Sequence, residues 1–406
     1  MRYDFDKVID RRKTNSVKWD LNLVNFGRED VLDLWVADMD FPAPEPVVEA
    51  IRRRAEHPIY GYTFPPASLY EAVIGWLDRR YGWKVEKEWI VFTAGVVNGL
   101  YSAIEAFSHP GDEVIVQPPV YYPFFAAVRN TGRQLLYNHL SFDGRRYTMD
   151  FAGLRSLFEV RTTFPARTPR IKALVLCSPH NPVGRVWTRD ELTTLGRICL
   201  DNDCVLLSDE IHCDLLVKGA HHTVTATISE DIARNTVTFM SASKTFNLAG
   251  LSTSFVVIPD EGLRRRYVEA RYGHNSGNLF GFVALEAAYR YGDEYLAQLR
   301  EYLNGNLEYF LDYVERRIPR LKVVRPEGTY LAWVDFRGLG LDPLALQRFI
   351  REEAGLALDD GYAFGPGGEG FERVNLACPR SLLKEALERL ERAVRALQAS
   401  KAAPPG

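Results

Sequence analysis

The stretch CVLLSDEIHCDLL, residues 204–216, sets a short apolar run against two acids, Asp209 and Glu210, that follow it directly. CVLLS has the length and composition of a strand buried on both faces. An acid at its end sits where the chain should be dry, and an unpaired carboxylate there would cost several kcal/mol or take up a proton. The same kind of run recurs along the middle of the chain as EVIVQ (113–117), KALVL (172–176), TVTFM (236–240) and SFVVI (254–258). Helix-length stretches separate these runs. One of them, TRDELTTLGRICLD (188–201), opens on Thr188 with Glu191 three residues on, the signature of a capping box. Apolar strands alternating with helices predict an α/β fold with a mostly parallel sheet between helices.

The 406 residues exceed what one compact core holds and predict two domains. The pattern changes after about residue 285. A long helical region is expected to about residue 318, then KVVRPEGTYLAWVDF, then another helix, then RVNLA. The last segment, SLLKEALERLERAVRAL, carries Leu383, Leu387, Leu390, Val394 and Leu397 on one stripe, with Ser381 as its cap. The expected division is a large domain over 46–285 and a smaller α+β domain from 1–45 and 286–406. VADMDFPAPEP (36–46) reads as an extended crossing between the two.

Composition narrows the function classes. Hydrophobic residues at 46% and charged residues at 25% are ordinary for a globular enzyme, and a net charge of −3 leaves no basic footprint for nucleic acid. The five cysteines, Cys177, Cys199, Cys204, Cys213 and Cys378, show no CxxC or zinc-type spacing, so reduced core thiols are expected and no metal. The N-terminus lacks an apolar signal region and no run reaches the length of a membrane span, which gives a cytoplasmic expectation with no membrane partner.

In α/β sheets ligands gather at the carboxyl ends of the strands, and four turns there carry chemistry. FTAG leads into the helix VVNGLYSAIEAF, whose free amides at Val96 and Val97 offer an anion site. SPHNPVG presents Asn181 as a donor, or is a plain proline-rich turn. Asp209 ends CVLLS, where a buried salt bridge is the plainer reading. SASKTFN presents Ser241, Ser243 and Lys244, and the lysine either snorkels to solvent or is a desolvated amine suited to Schiff-base chemistry. A phosphorylated aromatic aldehyde with a basic ring nitrogen satisfies all four, with phosphate at Val96 and Val97, aldehyde at Lys244, ring nitrogen at Asp209 and phenolic oxygen at Asn181. Pyridoxal 5'-phosphate is that molecule, and a pyridinium cation would keep Asp209 ionised.

With these motifs in this order the chain resembles the fold-type-I pyridoxal-phosphate enzymes of the class I/II aminotransferase superfamily, from about residue 30 to residue 398. VADMDFP, PIYGYT, SPHNPVGRVW, SDEIHCDL, SASKTFNLAGL and FERVNLACPR look most like the cystathionine β-lyase, or C–S lyase, branch. The resemblance implies an aspartate-aminotransferase-like seven-stranded sheet. It makes Lys244 the Schiff-base lysine and acid–base group, Asp209 the pyridinium partner, Asn181 a contact of the phenolic oxygen and of substrate, and Tyr121 the ring that stacks on the cofactor. It places Ser241 and Ser243 at the phosphate, His212 beside the cofactor, and Tyr122 and Ala37 at the substrate. Tyr60 matches a tyrosine that reaches a neighbouring subunit's phosphate, which implies a homodimer with shared active sites. Arg373 matches the arginine that clamps the substrate α-carboxylate, although its position alone reads as a surface edge-strand arginine. Two departures stand out: Ser252 where aminotransferases carry a phosphate-binding arginine, and His212 where many carry a tyrosine. Asn275, Ser276 and Asn278 are candidates to replace the missing charge across the dimer.

The implied activity is β-elimination from cystathionine, cysteine or related S-substituted cysteines, with Lys244, Asp209 and Tyr121 as the catalytic residues and Tyr121 or Tyr122 protonating the leaving sulfur. The same residues would serve an aminotransferase for an aromatic or apolar amino acid. A regulatory protein that merely holds the cofactor is a third reading, and no separate binding module is visible for it.

Overall fold

The computed structural model describes residues 2–163, 170–271, 273 and 276–402. Seven strands form the central sheet: β1 (Ile90–Thr93), β2 (Glu113–Val116), β3 (Gln134–Tyr137), β4 (Ile171–Cys177), β5 (Val205–Asp209), β6 (Thr236–Met240) and β7 (Ser254–Val257), in the order β1-β7-β6-β5-β4-β2-β3. Every pairing is parallel except the two made by β7, which runs antiparallel to β6 and to β1. The runs EVIVQ, KALVL, CVLLS, TVTFM and SFVVI are thus strands β2, β4, β5, β6 and β7.

Both faces of this sheet are covered, and β4 shows how. Ala173, Val175 and Cys177 pack with Leu100, Ala103 and Ile104 of helix α1 (Val96–Phe107), while Leu174 and Leu176 pack with Leu192, Leu195 and Ile198 of helix α2 (Arg189–Asp201). Successive side chains point to opposite faces, so a strand buried on both sides has to be apolar at every position. Helix α2 opens with the expected capping box: Thr188 accepts from the Glu191 amide and the Glu191 side chain accepts from the Thr188 amide.

The C-terminal part differs from expectation in two places. The long helical region is two helices, α3 (Leu279–Tyr291) and α4 (Asp293–Arg317), divided at Gly292. A side chain at Gly292 would run into the Phe246 ring and the Ala288 carbonyl, so the chain turns at the one residue that fits. The last helix, α5 (Arg380–Ala402), buries Leu383, Leu387, Leu390 and Val394 and half-buries Leu397, as the stripe predicts. Ser381 lies inside its first turn and does not cap it. The Pro379 carbonyl accepts from the Leu382 and Leu383 amides instead.

A second sheet is antiparallel throughout: β8 (Lys322–Val324), β9 (Leu331–Asp335), β10 (Asp359–Asp360) and β11 (Phe371–Asn375), in the order β8-β9-β11-β10. The extended segment around VADMDF runs between the two sheets. Asn375 Nδ2 donates to the carbonyls of Val36 and Asp38, both at 2.6 Å, and Asn247 Nδ2 to those of Met39 and Phe41 at 2.8 and 2.9 Å. Asn247 follows β6, so side-chain amides from both sides fix this strip. Buried charges hold it as well: Lys18 Nζ lies 2.6 Å from Asp40 Oδ2, and Arg11 pairs with Asp38 at 2.6 Å and Asp40 at 2.7 Å. The strip extends to residue 44, and the last two residues of the stretch read as extended, Glu45 and Pro46, already belong to a helix that starts at Glu45. Among the described residues no helix is long and apolar enough to cross a membrane.

Candidate active site

Because β1, β4, β5 and β6 run in one direction, their carboxyl ends open on the same edge of the sheet, and a cavity of about 230 Å³ lies there. Ala37, Val96, Val97, Tyr121, Asn181, Asp209, His212, Ser241, Ser243 and Lys244 all line it. Ten expected site residues from six segments therefore meet at one place. Ala94, Gly95, Asn98, Cys177, Ile211, Ala249, Ser252 and Thr253 complete the walls. Of these, Cys177 and Ile211 were legible as neighbours of strand-end residues, whereas nothing in the sequence marked Ala249 or Thr253.

The floor is helix α1. Gly95, with φ 99°, turns the chain from β1 into the helix in a conformation other residues rarely adopt. The first amides of α1, at Val96 and Val97, have no carbonyl within the helix to bond, and the helix dipole adds positive potential at the same point. Ser241 Oγ donates to the Thr253 carbonyl at 2.9 Å and accepts from the Ser243 amide at 3.0 Å, which fixes the turn after β6 and leaves the Ser243 hydroxyl at the cavity wall.

Asp209 is only 4% exposed and accepts one hydrogen bond, from the Ile211 amide at 3.1 Å. It has no ion-pair partner among the described residues, so the plain salt-bridge reading fails. Burial pushes its carboxyl up to about 7, against the Ile211 hydrogen bond and the attraction of Lys244, which pull it down. A cation opposite this carboxyl would reverse the direction.

Lys244 does not snorkel. Its Nζ donates to the Ala37 carbonyl at 2.7 Å, inside the cavity. Burial pulls the amine down to about 8, the Arg373 charge adds to this, and Asp38 and Asp209 oppose it. Below pH 8 the amine is protonated and above it free, so in cofactor-free protein carbamylation of Lys244 by cyanate should be half-maximal near pH 8. A midpoint near 10.5, that of an exposed lysine, measured by mass spectrometry of the Lys244 peptide, would show that the site does not activate the amine.

Arg373 is a correction to the residue-only reading. It stands on β11, an internal strand, and is 2% exposed. The pairing of β11 with β9 and β10 buries it, which no local pattern reveals. Its Nη1 donates to Asn181 Oδ1 at 3.1 Å. That bond fixes the orientation of the Asn181 amide, so Nδ2, without a partner among the described residues, is the atom left to donate into the cavity. Arg373 itself lies behind Asn181 and is not part of the wall.

His212 is buried, its Nδ1 has no hydrogen-bond partner among the described residues, and its ring lies 5.9 Å from that of Tyr330. Burial, with Lys244 and Arg373 nearby, keeps the imidazole well below its ordinary value and therefore neutral. Tyr121 packs edge-on to Phe124, and burial raises its phenol, so its O–H persists at neutral pH. Tyr122 lies outside the wall and is 38% exposed. Tyr60 is 58% exposed and its hydroxyl donates to the Ala55 carbonyl at 2.8 Å, away from this cavity. Ser276 accepts from Arg271, Asn278 caps α3, and Asn275 lies outside the described residues.

The donor set fits pyridoxal 5'-phosphate. The cavity holds an amine with one carbonyl contact, a buried acid without a cation, an unspent amide donor and free helix amides, one for each functional group of that molecule.

Comparison with known proteins agrees. Residues 29–390 match the family model "Aminotransferase class I and II". Cystathionine beta-lyase PatB of Bacillus subtilis is 41% identical over 393 residues, covering 96% of this chain and all of that protein. The crystal structure of cystalysin from Treponema denticola, which contains a pyridoxal 5'-phosphate cofactor, superposes with a TM-score of 0.92 at 39% identity, covering 98% of this chain and all of that one. The PLP-bound C–S lyase from Staphylococcus hominis superposes with a TM-score of 0.89 at 35% identity, covering 97% of this chain and 98% of that one.

Proposed function

From the premise that this chain belongs to the aminotransferase class I and II family, we propose that it is a pyridoxal-phosphate-dependent β-lyase that cleaves the C–S bond of L-cystathionine, L-cysteine or related S-substituted cysteines. One water is consumed, and the products are a thiol, pyruvate and ammonia. The observation that carries this reading is the pairing of Lys244 and Asp209 in one cavity of a chain that matches a cystathionine β-lyase along its whole length.

The α1 amides at Val96 and Val97, with Ser241 and Ser243, would hold the phosphate. Asp209 would face the ring nitrogen, Asn181 Nδ2 and His212 the phenolic oxygen, and Tyr121 the ring face. Ser252 stands where the phosphate arginine is absent. When bound, pyridoxal phosphate supplies an electron sink for negative charge developing at the substrate Cα. Arg373 orients the substrate through its α-carboxylate, a bidentate task suited to a planar guanidinium. Lys244 removes the Cα proton. Its lowered affinity for protons leaves roughly a tenth of the amine free at pH 7, which an ordinary lysine would not approach. Tyr121, protonated at neutral pH, donates to the departing sulfur, and Tyr122 and Ala37 border the substituent.

The protein works as a homodimer in this reading. Ile59, Tyr60, Tyr62 and Phe64 form an exposed apolar strip that supports such an interface, with Tyr60 reaching the second site. The two-domain division belongs to the same reading, with a large part over 46–285 and a small one from 1–45 and 286–406. All five cysteines are buried and free, which fits a reducing, cytoplasmic location.

Aminotransfer is the second reading, favoured by the family model itself. Pyruvate release from L-cystathionine separates the two. With no 2-oxo acid added, the lyase gives sustained release over many turnovers, and an aminotransferase stops after at most one equivalent of product per site.

A further inference from the structure

The clamp arginine is already engaged within the chain. Besides Asn181 on Nη1, Arg373 Nη2 donates to the Trp35 carbonyl at 2.9 Å and to Asp359 Oδ2, while the buried Nε has no partner among the described residues. A guanidinium offers two bidentate edges, Nη1 with Nη2 and Nη2 with Nε, and Nη2 belongs to both. An α-carboxylate that grips Arg373 with two oxygens therefore meets Asp359 whichever edge it takes.

Backbone pairing sets this position. Asp359 on β10 stands directly opposite Arg373 on β11, and its side chain is 12% exposed. It is close enough to Tyr122 that its charge raises that phenol further, after burial, against the opposing charge of Arg373. The other acids of this region are elsewhere committed or enclosed: Asp360 pairs with Arg351 at 2.8 Å, and Glu372 is fully buried. Arg373 is thus the one cation among the described residues that Asp359 touches, and Tyr122, 38% exposed, feels the charge of both.

We propose that Asp359 is a specificity-determining carboxylate: it occupies Nη2 of Arg373 until a substrate α-carboxylate takes that atom, and then turns its charge to the substituent on sulfur. It thereby favours S-substituted cysteines whose substituent carries an ammonium group over neutral ones, and neutral ones over those bearing a second carboxylate. Two carboxylates sharing one guanidinium leave an excess negative charge in a poorly solvated place, which a substrate ammonium offsets and a further carboxylate worsens. The inference rests on Arg373 being the α-carboxylate clamp.

The test is a substrate series, S-(2-aminoethyl)-, S-ethyl- and S-carboxymethyl-L-cysteine, with the cofactor-loaded enzyme and its Asp359→Asn variant, read as kcat and KM for pyruvate release. The wild type should rank the three in that order, with at least about tenfold in kcat/KM between the ends, equivalent to one well-placed charge contact. In Asp359→Asn the spread should shrink to about twofold and KM for the neutral substrate should fall. An unchanged spread in the variant, or a raised KM for S-ethyl-L-cysteine, overturns the proposal. If the variant does not fold, a wild type that fails to prefer the aminoethyl over the carboxymethyl substrate overturns it equally. Arg373→Gln separates this from failure of the clamp reading: unchanged KM there removes the clamp and the proposal with it, whereas raised KM alongside an unchanged Asp359→Asn spread sinks only the role of Asp359.

Discussion

Lys244→Ala should lower pyruvate release from L-cystathionine by at least about 10⁴-fold and abolish the visible absorbance of protein-bound cofactor. The loss combines two functions of one atom, the covalent hold on the cofactor and the transfer of the Cα proton, and the second alone is worth about 10²–10⁴. Among the described residues no other amine lines the cavity. The nitrogen base left in the wall among the described residues is His212, neutral and set beside Tyr330, which provides at best a poor replacement. Folding should survive, since Nζ makes a single hydrogen bond, to the Ala37 carbonyl, of about 1 kcal/mol, and removing a buried amine relieves a desolvation cost. A variant that melts like the wild type yet retains more than about a hundredth of its activity would remove Lys244 from the reaction.

Asp209→Ala should weaken cofactor binding and lower turnover by about 10³-fold, in the range of losing a preorganised charge in a dry site. In the protein alone, burial has pushed this carboxyl to about 7, a state that costs stability as a carboxylate at neutral pH. In the proposed reading a pyridinium nitrogen would supply the missing partner and stabilise the charged form of both groups. Asp209→Asn, which keeps the shape and removes the charge, isolates that effect. Turnover by the Asn variant within tenfold of wild type would show that the acid fills space and does not tune the cofactor.

The large sheet and its strand-end residues were legible in the sequence because both are local. Five apolar runs became β2, β4, β5, β6 and β7, and Asn181, Asp209 and Lys244 followed from lying at, or in the turns just past, the carboxyl ends of β4, β5 and β6. Arg373 was legible only through family resemblance, since its burial depends on β9 and β10 closing around β11, a pairing over dozens of residues. Asp359 gave no signal of its own for the same reason. Lys18 was missed too. It sits in a polar N-terminal stretch, and only the approach of Asp40 makes its complete burial possible. Gly292 was the visible but unread sign that the helix over 285–318 is two helices. The Ser381 cap failed because Pro379 offered a carbonyl two residues earlier.

The strand order also dictates a timetable for biosynthesis. β1 leaves the ribosome early, but its neighbour in the sheet is β7, which follows about 160 residues later. At about 5–20 residues per second the apolar IVFT segment waits roughly 8–30 s for a partner, whereas β2, β3 and β4 pair within the first half of the chain. During that interval the growing polypeptide carries an unsatisfied strand edge, the kind of surface that chaperones hold and aggregates recruit. The short parallel pairing of Leu32–Asp33 with Leu356–Ala357 closes later still. Arg373 emerges after it, so the newborn protein cannot assemble a complete active site until nearly all of its chain has been made.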